Sequence, residues 1–466
     1  MEILETLVSR EINEINSAPQ LAIAHYWKMV IKANGREITP TYIKDVKVDR
    51  LYHRNYADEV RLTAGFNFAE FQYNVLPYKD TLEVTLTKIP MGSSIEPNVT
   101  LSRSRVTNTY KVQLINQNSQ AIQGDHPLSL TKNQAGREQI VDIPMQLYNP
   151  VIDTIRKKTF GTVFRDTSPL NAIAYVLVKY ASTTTGEANN TIRGVNVDPS
   201  FEITERKHIV VPHNTPVLEV PHLIDDAVGG THPAQMRYYL QGNYWNLYPI
   251  FDHQRFSRVS DTVTIIKIPK HRMPSVEKTY RWATNHLILL TTRGTTHQDN
   301  SESLQLNEGN GVRFVDANQM VSGLAKKGGN KVDAQLKNNL TEVVYQPRAD
   351  KSDMIMPAKV KITNKYNKEY AELARKSGGY IQTVWEHANI DLLLPGMPVR
   401  YIFQDGEVTR ELYGTLNAVE TLDYNTNNTI SNPRFVTMAL LTIFVSNISP
   451  MKSKTATDSV SSSTST

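Results

Sequence analysis

The period of the apolar positions changes several times along this chain. Ile3, Leu4, Leu7, Val8, Ile12 and Ile15 recur at helical spacing with acids on the other face, and Pro19 marks the end of the helix this predicts. Such a terminal helix either packs on its own domain or docks as an arm on a neighbouring subunit. From Trp27 the period falls to two. Trp27 to Lys32 reads as a strand closed by the tight-turn pair Asn34-Gly35. A run through Ile43, Val46 and Val48 follows, then an alternating one from Val60 to Phe68. Between Thr81 and Ile89, Leu82, Val84 and Leu86 share one face while Glu83, Thr85 and Thr87 share the other; Tyr110 to Ile115 adds a further strand.

A polar stretch rich in Asn, Gln and Ser, 116–139, separates these strands from two predicted helices. The first covers Pro150 to Phe164. The second covers Ser168 to Tyr180, with a cap-like start at Asp166-Thr-Ser-Pro and an apolar face of Ala172, Ile173, Val176, Leu177 and Tyr180. Glu187 to Asp198 reads as a loop. His208 to Pro212 predicts a strand, and Val217 to Asp226 a turn and short helix. The aromatic run Tyr238, Tyr239, Tyr244, Trp245, Tyr248 and Phe251 comes next, and Thr262 to Pro269 is a strand. Gly294 to Gly311 and Gly323 to Asn339 read as polar loops, and Asn364 to Lys376 as a basic helix ending at Gly378-Gly379. Strands return at Tyr380–Val384, Ile390–Phe403, Val408–Leu412, Gly414–Leu422 and Pro433–Val445, with a hairpin turn at Asp405-Gly406. The tail from Ser453 to Thr466 is nearly all small and polar, too poor in apolar residues to form a core. The fold class this predicts is mainly β with α insertions (α+β).

Composition narrows the chemistry. There are no cysteines, which removes disulfides, thiolate metal sites and cysteine nucleophiles together. The net charge of +5, from 51 basic and 46 acidic residues, is small for 466 residues, without the dense basic block expected of a nucleic-acid binder. Glu2, Glu5, Arg10, Glu11 and Glu14 interrupt the first segment, so no signal-peptide core is read there, and no run approaches the ~20 apolar residues of a membrane span. The expectation is a chain soluble when made, without membrane insertion.

The candidate reactive groups do not assemble into a known constellation. His208, His213 and His222 lie near Glu205, Glu219, Asp225 and Asp226, a composition that could hold zinc. His208 and His213 are five apart with Pro212 between them, whereas a helix-borne pair needs a four-residue offset with Glu beside the first His. Asp225-Asp226 could serve glycoside hydrolysis only if two carboxylates flanked a cleft, and beside Gly229-Gly230 they read as a solvated turn. No Gly-x-Ser-x-Gly elbow is present, and Ala325 to Asn330 lacks the glycine spacing of a phosphate loop. The aromatics from Tyr238 to Phe251 could stack bases, but basic residues stand only at the edges, at Arg237 and Arg255; core and interface anchoring is the stronger reading. No catalytic, cofactor-binding or metal-binding residue is assigned, no cofactor is expected, and the chain is read as a non-enzyme.

Two regions resemble one family. Val46-Lys-Val-Asp-Arg-Leu-Tyr-His-Arg-Asn-Tyr-Ala-Asp-Glu-Val, Phe66-Asn-Phe and Tyr78-Lys-Asp-Thr-Leu-Glu-Val-Thr-Leu resemble the first tube-like domain of phage baseplate hub proteins of the T4 hub type. Leu394-Pro-Gly-Met-Pro-Val-Arg-Tyr, Gly406 and Tyr413-Gly-Thr-Leu-Asn-Ala-Val-Glu-Thr-Leu-Asp-Tyr resemble the second, which also occurs in related secretion-spike proteins of contractile injection systems. Val210 to Pro221 resembles the hub segment before an aromatic strand.

The resemblance implies two tube-like antiparallel β-barrel domains plus a helical or mixed middle region. The division expected is a helical arm over 1–26, a first barrel over 27–118, and a polar loop with helical insertion over 119–200. A mixed middle over 201–290 begins the second barrel, a polar and basic insertion fills 291–350, and 351–450 completes that barrel before the disordered tail of 451–466. It further implies a homotrimer whose domains close into a pseudo-sixfold ring between the tail tube and the central spike. The implied partners are the spike protein, tail-tube or tube-initiator proteins, inner baseplate proteins, and genomic DNA passing without specific binding. The implied location is the virion tail baseplate, after synthesis in the host cytoplasm. The competing readings are a tail-tube initiator, neck or capsid protein, and a tail-associated cell-wall hydrolase.

Overall fold

A computed structural model of the chain describes residues 2–17, 24–91, 106–115, 140–181, 192–201, 205–227, 231–232, 235–272, 279–283, 285–299, 312–316, 341–345, 378–405, 408–427 and 433–446. The first element is α1 (Glu2–Ser17), as its spacing predicts. The next strands are β1 (His25–Ala33), β2 (Arg36–Ile38), β3 (Tyr42–Arg50) and β4 (Glu59–Asn67). A single turn, α2 (Phe68–Glu70), runs into short π and 3-10 turns before β5 (Glu83–Pro90), β6 (Val106–Leu114) and β7 (Ile140–Tyr148). Asn34 and Gly35 both have positive φ, 48° and 77°, the geometry a two-residue hairpin requires, and β2 folds back on β1 there. Leu82, Val84 and Leu86 are buried on one face as their alternation predicts.

A middle segment follows: α3 (Pro150–Arg156), β8 (Thr159–Thr167), α4 (Pro169–Ala174) continuing as a π turn, β9 (Gly194–Val197), β10 (Arg206–Pro216), α5 (Val220–Ala227), β11 (Met236–Gln241) and β12 (Tyr244–Pro249). Ser168 caps α4 by accepting from Asn171 N, with Pro169 first in the helix. The predicted helix over 150–164 is corrected. It stops at Arg156, and β8 takes Phe160, Val163 and Phe164, because a run of Thr, Val and Phe favours a pleated surface once β10 is there to pair with it. The loop predicted over 187–198 contains β9, which pairs in parallel with β12.

The last strands are β13 (Thr262–Lys267), β14 (Tyr280–Ala283), β15 (His286–Thr291), β16 (Arg293–Asp299), β17 (Val312–Asp316), β18 (Thr341–Tyr345), β19 (Gly378–Glu386), β20 (Pro398–Asp405), β21 (Val408–Asn425) and β22 (Phe435–Ser446). Arg293–Asp299 is therefore strand where a loop is predicted, because β19 lends it a partner. The two strands predicted at 408–422 are one of 18 residues. The expectations for 116–139, 323–339, 364–376 and 453–466 lie outside the described residues.

The chain is mainly β with a few short helices, and among the described residues fifteen strands share one sheet. β3, β4, β7, β6, β5 and β1 pair antiparallel in that order. β1 then touches β22 at His25↔Phe435, β22 pairs with β21, and β21 pairs with β3. On the other side of the shared strands, β21 pairs with β20 and β22 with β19. β13 is parallel to both β20 and β15, so this part of the sheet is mixed rather than antiparallel throughout. β15 continues into β16 after one residue, and β16 pairs with β19. One apolar core of Val, Ile, Leu and aromatic residues runs beneath both regions, and a second lies among α3, α4, α5 and the β9–β12–β11 sheet.

α1 packs on its own chain: Val8, Ile12 and Ile15 lie against Ile266, Ile268, Ile288, Leu290 and Ile402. Its buried Glu11 pairs with Arg281 at 2.8 Å, and Glu14 reaches the same guanidinium. Glu11→Ala is expected to loosen the helix by about 1–3 kcal/mol, read as faster backbone hydrogen exchange over 2–17 with the sheet unchanged. Equal protection in the variant would show that apolar packing alone holds the helix.

Candidate functional site

Strand β21 is the joint of the molecule. Its first half pairs with β20 from Val408 to Thr415, and its second half pairs with β3 from Val419 to Tyr424 along the same edge. The opposite edge is covered by β22 from Gly414 onward. Thr421 ties the β3 side, accepting from Val48 N and donating to Val48 O. Two glycines of the second resembling stretch sit where a side chain cannot. Gly396 has φ +65° and the Tyr248 ring where a Cβ would fall; at Gly414 the Cβ would meet the Phe444 carbonyl.

Buried ions lock the units around this joint. The Arg50 guanidinium, at the end of β3, donates to Asp58 at 3.0 Å and to the Ile390 carbonyl at 2.6 Å, with Asp391 3.8 Å away. Burial disfavours its charge, but Asp58, Tyr52 and Asp391 more than offset that and raise its pKa. Tyr239 from β11 donates to the other Asp58 oxygen and meets Tyr52 edge-on at 4.9 Å. Arg255, 1% exposed, joins Asp198 to the Gly396 carbonyl. Where β1 meets β22, backbone pairing is a single register pair, and side chains supply the rest. His25 Nε2 and Trp27 Nε1 both donate to Asp423, at 2.9 and 2.8 Å, and Lys88 lies 6.0 Å over the Trp27 ring.

Acid attacks these locks first. Burial holds His25 below its usual 6.5, and it holds His232, beside Asp252 and Phe201, down to about 4. Burial opposes ionisation of Asp423, but its hydrogen bond from His25 and the charge of Lys88 win and lower its pKa. For a histidine lowered on folding, the unfolded chain binds the proton more tightly. Its stabilising contribution is therefore complete above 6.5 and is lost as pH falls toward the folded value. Asp423 adds a loss of the same sign below 3.8. Melting temperature is expected to be flat at neutral pH and to fall steadily from about pH 6.5 to pH 4, and His232→Asn is expected to flatten that slope. A slope unchanged in the variant would mean the histidine is not the titrating group.

The residues singled out from the sequence are scattered. His208 and His213 are exposed on β10, whereas His222 on α5 lies within 3.2 Å of Arg237 Nη1 and packs on Tyr238. Glu205 and Glu219 are exposed. Asp225 accepts from Thr231 N and Oγ1, holding the end of α5 in place. Among the described residues, no group of three or more His, Cys, Asp or Glu is placed to hold a metal ion. No described helix is long and apolar enough to cross a membrane. Of the aromatic run, Tyr238, Tyr239, Trp245, Tyr248 and Phe251 are buried and only Tyr244 is exposed, so these rings form core and offer bases no continuous platform. The Arg50 and Asp423 networks are not legible in the sequence: Asp58 is eight residues from Arg50, but Ile390 is 340 away, and His25 and Trp27 lie 398 and 396 residues from Asp423.

No family model matches the chain. No curated protein matches it. Among solved structures, the tail protein from Neisseria meningitidis MC58 is similar, with 11% identity over 90% of this chain and 96% of that one, at a TM-score of 0.46. The 43 kDa tail protein of prophage MuSo2 from Shewanella oneidensis is similar at 11% identity, over 90% and 98% of the two chains, with a TM-score of 0.43. An Escherichia coli component of the type VI secretion system is similar at 6% identity, over 89% and 76%, with a TM-score of 0.38. The chain's structural neighbours are phage-tail, type VI secretion and baseplate components.

Proposed function

We propose that this chain is a structural part of a phage tail baseplate, the hub ring that links the tail tube to the central spike. The observation that carries this reading is the pairing path. From β21 through β3, β4, β7, β6, β5, β1 and β22 it returns to β21. From β21 through β20, β13, the continuous β15–β16, β19 and β22 it returns again. We read these as two tube-like barrels that share β21 and β22, the first taking in residues up to Tyr148. Buried charge sits at the seam between them, where two units of one chain must keep a fixed angle. The resemblance in 46–86 and 394–424 supports the same reading, since Gly396 and Gly414 fall at its seam.

Three chains would place six such units around one axis, matching a sixfold tube to a threefold spike. The chemistry needed is shape and strand edges, with no bond-making step. The test is the mass of the purified full chain by light scattering, alone and with the spike protein of the same tail. A particle of three 52.7 kDa chains that retains the spike is expected. A monomer that binds no tail component, or a ring of six or twelve, would overturn the hub reading.

A further inference from the structure

The connection between β3 and β4 carries His53 over one face of the sheet, where β21, β22 and β19 run side by side, and a cleft of about 360 Å³ lies beneath it. Its floor is a cross-strand row: Gln382 stands opposite Thr442, and Thr442 opposite Ala418. The register of β21 against β22 slips between Leu416 and Ala418, leaving Asn417 as an extra residue in the bulge. Bulges re-aim side chains, and Asn417 lines the cleft. It is 1% exposed, and its buried Oδ1 has no hydrogen-bond partner. A buried carbonyl oxygen left unpaired is costly, and a donor that shifts the lining covering it would satisfy it.

The remaining lining supplies further acceptors. His53 Nδ1 lies 3.3 Å from the Asn417 backbone carbonyl, which can only accept, so Nδ1 carries the proton and Nε2 keeps its lone pair. Burial lowers the pKa of the ring, and Arg237 and Arg54 nearby act in the same direction, outweighing the Asn417 carbonyl and Glu420. Glu420, exposed on β21, is the one full charge among the described lining residues, and Tyr380, packed against Phe444, adds an aromatic wall. A carboxylate, an amide oxygen, an imidazole nitrogen and an aromatic ring fit a flat cation that donates in several directions at once.

We propose that this cleft is a receptor for a guanidinium group, the side chain of an arginine presented by a partner polypeptide. An ammonium would meet the same carboxylate but could not bridge it to the amide oxygen while lying against the ring. The site stands on the cleft's own geometry and does not require the ring reading above.

The test is ligand-observed NMR on the full chain with N-acetyl-arginine amide, N-acetyl-lysine amide and N-acetyl-glutamate amide as probes. Saturable binding of the arginine probe at millimolar concentration is expected, weaker binding of the lysine probe, and none of the glutamate probe. Glu420→Gln, an exposed position, is expected to weaken the arginine probe at least about tenfold with an unchanged melting temperature. Absence of saturable arginine binding, equal binding of lysine or glutamate, or an unaffected Glu420→Gln variant would each overturn the proposal.

Discussion

Arg255→Ala is expected to lower the stability of the chain by about 3–5 kcal/mol. The guanidinium is 1% exposed and is shared between Asp198, near the end of β9, and the Gly396 carbonyl, just before β20. Thr415 Oγ1 on β21 lies 3.5 Å from the same nitrogen. Truncation leaves Asp198 buried with its charge and only the hydrogen bonds from Ser200. Burial raises the pKa of Asp198, but Arg255 and Ser200 currently outweigh it and hold the carboxylate ionised. Denaturant unfolding checks this. Arg255→Lys is expected to recover only part of the loss, because an ammonium cannot span both partners as the planar fork does. A loss below about 1 kcal/mol would show that the middle segment is held to the sheet by packing alone.

Gly414→Ala is expected to cost about 3 kcal/mol or more and to act through the backbone rather than through a side-chain contact. The added Cβ would fall on the Phe444 carbonyl, an atom held in the β21–β22 ladder that cannot rotate away. Val445 Cγ1 stands 3.0 Å off and blocks the other escape. Relief requires β22 to move from β21 where β21 passes from β20 to β3, so both paths of pairing loosen together. The control is Gly194→Ala on β9, whose Cβ would make an ordinary 3.5 Å contact with Tyr244 and should change stability by less than about 1 kcal/mol. Comparable melting temperatures for the two variants would mean that the strands are not held as closely as described.

Local pattern was a good guide wherever one strand could declare itself. The alternation at 81–89 gives β5, Asn34-Gly35 gives its hairpin, and Pro169 opens α4. The pattern misled where apolar residues at three- and four-residue spacing were also β-branched or aromatic. Pro150 to Phe164 reads as one helix, yet Phe160, Val163 and Phe164 stand on β8, a strand because β10 pairs with it. β16 was read as loop for the converse reason: Arg293–Asp299 has little apolar periodicity, and the ladder with β19 makes it a strand.

The sequence by itself determined that this is a β-rich chain without cysteine chemistry, and it placed Gly396 and Gly414 in the stretch that resembles the second hub domain. Backbone preference and side-chain alternation are local properties, so they are written in adjacent residues. Only the tertiary structure decided that β21 serves two sets of partners, and that Arg50, Arg255 and Asp423 are buried at the joints. It also decided that the bulge at Asn417 lines a cleft beneath His53. These are pairings between segments up to 398 residues apart, as His25 with Asp423 shows. A charged residue gains a buried partner only when the sheet brings the strands together, and no local period records which partner that will be.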